Sequence, residues 1–391
     1  MTVSSFSTKC PLQLGMLAAV LLLSGCQTAA PAHQAAASGA QAVLATAPQL
    51  RQDAFKGIYE ITSTADGASV FVASINGFDR QNAGFVHRLD ARTLQTVQTI
   101  QVPRRAFALG LNNTTQTLYV GNTMEGSLSV VDAGSGIVKG VIQLAQPQKN
   151  DQGEESFAHT RKVIADETHN RVFVTSPGQP GLVWIVDGAT NTLTHTITSD
   201  GIWTAGAAYD PLGNRLYVSQ GGVHEILAID PDSGKVVQAL STGDSKANTA
   251  EASRHFFINL AIDVKGQRLF AADGNTNQLY VADIASGQFV RTVPVGGVGT
   301  LDVIYNARRN EVVASHRGAT HGQPDGTGGV TVFDGSTFAV KRRFELPVHP
   351  NSLALSPDGQ TLYVTVKAPH GEQHAAFRKD GLDSVVRIDL R

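Results

Sequence analysis

Short strings that alternate apolar and other residues, each closing on aspartate, recur along the chain. They read VHRLD at 86–90, LSVVD at 128–132, VWIVD at 183–187, ILAID at 226–230, LYVAD at 279–283, VTVFD at 330–334 and VVRID at 385–389. A second apolar string precedes each one, centred on Phe71, Tyr119, Phe173, Tyr217, Phe270, Val313 and Tyr363, which lie 43 to 54 residues apart. The strings are rich in Val, Leu, Ile and Tyr, and no sustained helical period competes with them. Two marked strands per repeat, at this period, denote a radial β-array rather than seven separate units.

The fourth repeat shows the unit. Residues 204–209 form strand a, the turn DPLGN follows at 210–214, residues 215–220 form strand b and 226–230 strand c. The turn PDSG at 231–234 leads to strand d at 235–240. Proline presets φ and glycine accepts positive φ, which suits both turns. The predicted fold is all-β, a seven-bladed β-propeller of four-stranded antiparallel blades. The last repeat stops after strand c, so its outer strand must come from elsewhere. Residues 41–47 are β-compatible and are expected to supply it, closing the ring with an N-terminal strand and covering an unpaired edge. Residues 41–391 are thus read as one propeller domain.

The preceding residues have a different character. Lys9 gives a weak positive start, and residues 12–23 are apolar but too few for an ordinary transmembrane helix. LSGC at 23–26 matches the signal of bacterial lipoproteins, with residues 1–25 as signal peptide and Cys26 as lipid acceptor. Gln27 stands where an aspartate would retain such a lipoprotein at the inner membrane. The expected location is therefore the periplasmic side of the cell envelope, anchored to the outer membrane through lipidated Cys26 alone. Residues 26–40, rich in Ala, Gln and Pro, read as a flexible tether. Only Cys10 and Cys26 are present. The mature chain then has no disulfide, no cysteine metal site and no haem attachment, and no cofactor is expected.

The Tyr-Val strand strings resemble the YVTN class of β-propellers. NNTTQTL at 112–118, HFFIN at 255–259, SHR at 315–317 and HPNSLALS at 349–356 are similar to strings of YncE-like periplasmic proteins. The resemblance runs from about residue 57 to the C-terminus. It implies a seven-bladed exported propeller without established catalysis, and a DNA-binding activity has been attributed to the group. The leader, the tether and the loops near 150, 245, 320 and 375 depart from that pattern.

Strand alternation puts the b–c and d–a connections on one face, and these are the long ones. Long loops on a rigid scaffold are where function usually lies. Strand a is innermost, so equivalent positions form rings around the channel. One ring, expected at the mouth, reads Gly57, Arg105, His159, Trp203, Phe256, Gly299 and His349. A second, expected to line the channel, reads Glu60, Ala108, Lys162, Gly206, Asn259, Asp302 and Ser352. Cations gather near the mouth at Arg104, Arg105, Arg161, Lys162, Arg254 and Arg317, joined by His255 and His316, with Phe107, Trp203 and Phe256 as aromatic surface. His159, His349 and Asn259 complete the candidate ligand-binding set, and Glu60, Lys162, Asn259 and Asp302 the channel lining.

A cationic, partly aromatic mouth suits an anionic partner. The formal net charge is −2, and removing Lys9 with the leader makes it one unit more negative. With no basic run, strong electrostatic nucleic-acid binding is disfavoured. Seven of the twelve histidines, including His321, His370 and His374, fall on the long-loop face, where Asp302, Asp325 or Glu372 would join them in holding a metal. Their spacing matches no zinc signature. No Gly-x-Ser-x-Gly elbow or defensible carboxylate pair supports catalysis, so no catalytic residue is assigned. The leading reading is a non-enzymatic module that binds a small anionic or metal-complexed ligand, or an envelope protein. Single-stranded DNA at the mouth is the alternative, and a lactonase-like hydrolase a further one.

Overall fold

The structure, a computed structural model, describes residues 49–77, 83–149, 153–320, 326–346, 349–369 and 372–391. Seven four-stranded antiparallel sheets form the propeller, each a blade of strands a to d. Strands b, c and d of the fourth blade are Arg215–Ser219, Ile226–Asp230 and Lys235–Leu240, close to the expected bounds. Its strand a is shorter than expected, Ala207–Asp210. An additional two-stranded hairpin, Gln148–Lys149 with Glu155–Ser156, sits in the connection between blades 2 and 3.

The aspartate that ends strand c has a local cause. In blade 1, Asp90 Oδ1 accepts the backbone N–H groups of Arg92 and Thr93 at 3.0 and 2.8 Å. Asp187 Oδ1 does the same for Ala189 and Thr190, both at 2.8 Å. Asp334 repeats the pattern with Ser336 and Thr337. A carboxylate that caps the turn to strand d satisfies donors the ladder cannot reach. The repeated aspartate is therefore a turn residue.

Apolar faces of neighbouring blades pack against each other. One cluster joins Tyr119 and Val130 of blade 2 to Val174 and Trp184 of blade 3. Each fully buried large apolar side chain contributes roughly 1.5–3 kcal/mol, which a lone blade exposed on both faces would forgo. Blades 7 and 1 meet in the same manner, through Tyr363 and Val385 against Ile58, Val70 and Leu89. The hydroxyl of Tyr363 donates to Ala91 O at 3.1 Å across that seam.

The ring is closed by an N-terminal strand, but not by the expected residues. Gln49–Phe55 pairs antiparallel with Asp383–Asp389 as the outer strand of blade 7. Residues 41–47, and with them the leader and Cys26, lie outside the described residues. The closing strand carries a mostly exposed, polar sequence, QLRQDAF, so its apolar pattern is too faint to mark it. Its role comes from pairing. Phe55 is buried in the seam, and Ser384 Oγ donates to Asp53 Oδ1 at 2.7 Å.

Candidate functional site

Strand a does not keep strict alternation as it enters the channel. In blade 2 the partners run Ala106↔Asn122 and then Ala108↔Gly121, leaving Phe107 extra. Ile258 of blade 5 and Asn351 of blade 7 are extra in the same way. In blades 1 and 6 the pairs Tyr59/Glu60 and Leu301/Asp302 occupy the irregular stretch. A bulge breaks the period of two and re-aims a side chain. Two successive positions therefore serve the channel, one lining the mouth and one the floor beneath.

The floor is charge-compensated. Lys162 Nζ lies 2.8 Å from Glu60 Oε1 and reaches it across the ring from blade 3 to blade 1. Glu60 Oε2 accepts the backbone N–H of Leu109 at 2.9 Å. Asp302 of blade 6 accepts backbone N–H groups from Val303 and Leu353 at 2.9 and 2.8 Å. Burial works against the charge on Lys162, but the carboxylates of Glu60 and Asp302 prevail and hold its pKa above the ordinary value. Burial raises the Asp302 pKa, with Lys162 opposing it. Asn259 is buried beside them, donating from Nδ2 to Leu301 O at 3.1 Å, while its Oδ1 has no hydrogen-bond partner.

Above the floor opens a cavity of about 630 Å³. Its apolar walls include Tyr59, Phe107, Phe256 and Leu301, and its cations are Arg161, Arg317, Lys367 and the exposed Lys56. Tyr59 and Phe107 have ring centroids 4.2 Å apart. The Arg161 guanidinium lies over Phe107 at 5.3 Å, and Lys367 Nζ over Tyr59 at 3.7 Å. Arg161 keeps a loose 3.8 Å contact with Glu60. Among the described residues, no carboxylate forms an ion pair with Arg317, and its buried Nε has no hydrogen-bond partner. The backbone holds two of these cations on either side of one residue. His349 N donates to Arg317 O at 2.8 Å, and Lys367 N donates to His349 O at 3.0 Å.

Burial first, and neighbouring charge second, shift the ionisation of these groups. Burial and then neighbouring Arg161 lower the pKa of Arg317. Burial pulls Lys367 down to about 8; Asp383 opposes the shift and Arg317 adds to it. Burial pushes Tyr59 up to about 12, with Asp383 contributing. Asp383 itself accepts backbone N–H groups from Ile58 and Ala368 at 2.8 and 2.7 Å.

The rim also contains strained backbone. Gly57, Trp203, Gly299 and His349, four members of the mouth ring, have φ of 57°, 57°, 72° and 76°. At Gly57 a Cβ would stand 2.4 Å from Ile75 O, so no side chain fits. Trp203 and His349 adopt the same left-handed conformation with side chains, at a cost of roughly 1–2 kcal/mol each. Trp203 meets Phe256 edge to face at 5.4 Å. His349 lines the cavity.

The YncE protein of Salmonella typhi, described as uncharacterized, is 33% identical over 347 residues, 89% of this chain and 92% of that protein. YncE of Escherichia coli K12, described likewise, is 33% identical over 341 residues, 87% and 90% of the two chains. The chain belongs to the YncE family. No protein-family model matches it. The strings on which the YncE-like resemblance rests supply Phe256, Ile258, Arg317, His349 and Asn351 to the cavity.

The structure does not bring all the residues singled out in the sequence into this cavity. Arg161, Arg317, His349, Phe107 and Phe256 line it, with Trp203 packed against Phe256. Lys162, Glu60, Asp302 and Asn259 belong to the floor. Arg104 donates instead to Ser127 Oγ and Gln143 Oε1, both at 2.7 Å. Arg105 is buried in an ion pair with Glu125 at 2.7 Å. Arg254 and His159 are exposed and do not line the cavity. His255 is buried between Asp273 and Asp244, at 2.7 and 3.0 Å, and its pKa is raised despite burial. His316 packs against Gly297 and Gly329, where an added Cβ would meet its ring. Among the described residues no group of three His, Cys, Asp or Glu side chains is placed to hold a metal. His321, Asp325 and His370 lie outside the described residues.

Lys367, Tyr59 and Asn351 are among the cavity residues that sequence reasoning missed, with Lys56, Ile258 and Leu301. Lys367 follows strand b of blade 7, Thr361–Val366, as Arg317 follows strand b of blade 6, Glu311–His316. Each stands four residues after the centre of its β-string, Tyr363 or Val313, so comparing strand-b ends across repeats carries that signal. Tyr59 and Asn351 have no such signal, because the bulge that turns them inward leaves no mark on a single repeat.

Proposed function

We propose that this member of the YncE family is a non-enzymatic binding module of the bacterial cell envelope that takes up a compact organic anion at its channel mouth. The observation that carries the reading is the convergence of Arg161, Arg317 and Lys367 on one cavity, where the last two have no ion-pair partner among the described residues. Burying like charges together is costly, and a carboxylate or phosphate placed between them removes that cost. The volume exceeds what an inorganic ion needs and falls in the range of small-molecule sites. Aromatic walls favour a ligand that also has an apolar or planar part. Anchoring through Cys26 on the periplasmic side would keep such a module at the outer membrane, as the leader implies.

The same observation favours a compact anion over single-stranded DNA. Of the six cations expected near the mouth, Arg104 and Arg105 are engaged elsewhere, Arg254 is exposed and does not line the cavity, and Lys162 is paired below it. Two remain, which suits one anionic group rather than a run of phosphates.

Calorimetric titration with phenyl phosphate, inorganic phosphate and neutral benzyl alcohol tests this. Phenyl phosphate should bind tightest and the alcohol least, and Arg317→Gln should weaken phenyl phosphate about ten- to a hundredfold, the loss of a charged hydrogen bond. Equal binding of the aromatic anion by wild type and variant would place the site elsewhere. Oligonucleotide binding with a steep salt dependence would return the DNA reading to first place.

A further inference from the structure

We propose that Lys367 is a nucleophilic amine that captures anionic carbonyl compounds, such as α-keto acids or phosphorylated aldehydes, as a reversible imine. The inference rests on the anion-binding reading of the cavity and gives the ligand its reactive class. Three features of the geometry separate Lys367 from an ordinary surface lysine. Its residue is only 8% exposed, although it lines an open cavity. Its Nζ sits over the Tyr59 ring at 3.7 Å, and no carboxylate forms an ion pair with it among the described residues. Its backbone is fixed next to His349, and through that residue next to Arg317. Arg317, with Arg161 alongside, would hold the carboxylate or phosphate of the ligand and leave its carbonyl carbon at the amine.

The chemistry needs no partner beyond these groups and exchange of a proton with solvent. The neutral amine attacks the carbonyl carbon, a C–N bond forms, and the carbonyl oxygen takes up the proton released from nitrogen. The proton that the ammonium gave up to solvent before the attack is then taken back, so that this oxygen leaves as water and the protonated imine keeps a single positive charge where the ammonium had been. Asp383 is the carboxylate that acts electrostatically on this position. Apolar walls from Tyr59, Phe107 and Leu301 limit the return of water. A buried lysine next to another cation has a substantial neutral fraction near neutral pH, and that fraction is what makes it nucleophilic. Lys367, held at about 8, meets this condition. Lys162 does not: it is salt-bridged to Glu60 and its pKa is raised. Lys56 shares the cavity but is exposed, so it is an internal control.

Pyridoxal 5′-phosphate is a suitable probe, and pyridoxine 5′-phosphate, which has a hydroxymethyl group in place of the aldehyde, is its non-carbonyl partner. The purified protein is incubated with the aldehyde below stoichiometric amounts, reduced with borohydride and mapped by peptide mass spectrometry. The expected result is one dominant adduct on the peptide that carries Lys367, at least tenfold above Lys56. Its yield should rise with pH through about 8, and excess pyridoxine phosphate should suppress it. Lys367→Arg should abolish the adduct. Labelling spread over surface lysines, with Lys367 no higher than Lys56, would overturn the inference. Binding of pyridoxine phosphate without any aldehyde adduct would also overturn it, yet leave the anion-binding reading standing. Binding of neither compound would remove both.

Discussion

Lys162 and Lys367 both serve the channel, from blades 3 and 7, yet their surroundings could hardly differ more. On the floor, Lys162 is met by Glu60 at 2.8 Å and feels Asp302, and the carboxylates also take backbone donors. At the mouth, Lys367 is buried over a tyrosine face with Arg317 nearby, and among the described residues Asp383 opposes the effects of burial and of Arg317. The floor is internally neutralised and ties blades together across the axis. Among the described residues, the mouth is left with positive charge that no ion pair balances at Arg317 and Lys367, held in place by backbone bonds through His349. A buried charge whose partners lie within the fold belongs to the architecture. One whose partner is missing points to something that arrives from outside.

Exchanging the two lysines for methionine should expose the contrast most sharply. Lys162→Met leaves Glu60 and Asp302 buried without their cation and should destabilise the propeller by about 3–5 kcal/mol. Lys367→Met removes an uncompensated cation and should leave the protein at least as stable at pH 7. Comparing chemical denaturation of the two variants measures both. Similar losses in both would break the distinction between floor and mouth.

The pH dependence of Lys367 gives the next largest effect. Its folded pKa of about 8 lies below the ordinary 10.5, so the unfolded chain binds the proton more tightly. Wild type should therefore gain stability, relative to Lys367→Met, as pH rises from about 8 to 10.5, and lose that contribution as pH falls through 8. The difference between those values corresponds to roughly 3 kcal/mol. Denaturation midpoints of both proteins across this range would show a gap that closes with rising pH. Parallel curves would mean that Lys367 is solvated like a surface lysine.

Asp302 should show the opposite course at the acid end. Its folded pKa is raised by burial, so the folded chain holds the proton more tightly. Wild-type stability should fall as pH rises from the ordinary 3.8 through the elevated value, and Asp302→Asn should not share this decline. The expected effect is smaller than that of Lys162→Met, because Lys162 keeps Glu60. Thermal melts of both proteins between pH 4 and 7 test it.

The smallest effect concerns the rim backbone. His349→Gly relieves a left-handed conformation at φ 76° but adds the entropy of glycine to the unfolded chain. Stability should stay within about 1 kcal/mol of wild type. Phenyl phosphate affinity should fall, because His349 lines the cavity. Retained affinity together with a marked rise in stability would make His349 a strained residue without a part in binding.

These contrasts also show which features a single sequence can carry. The seven strings closing on aspartate fixed blade number, strand order and the c–d turns, because each depends on neighbours in the chain. The need for an N-terminal closing strand was legible from the missing outer strand of the last repeat. Its position was not, because Gln49–Phe55 is mostly exposed and has little apolar pattern. At the channel, Arg317 and Arg161 stood out as cations near strand ends. Arg104 and Arg105 looked equivalent to them, and only side-chain partners such as Ser127, Gln143 and Glu125 set them apart.

What the sequence determined by itself, then, is the repeating scaffold and the ring of positions around its axis. Strand periodicity and turn chemistry are local, and each is written seven times. The tertiary structure decided which charges are neutralised and which are not. Glu60 meets Lys162 from 102 residues away, and Arg317 and Lys367 line one cavity where blades 6 and 7 are joined by backbone bonds through His349. It also decided which side chains face the cavity, because the bulges in strand a shift the pleat where it enters the channel. Charge compensation and bulge register depend on distances between blades, and a strand pattern read one repeat at a time carries no information about them.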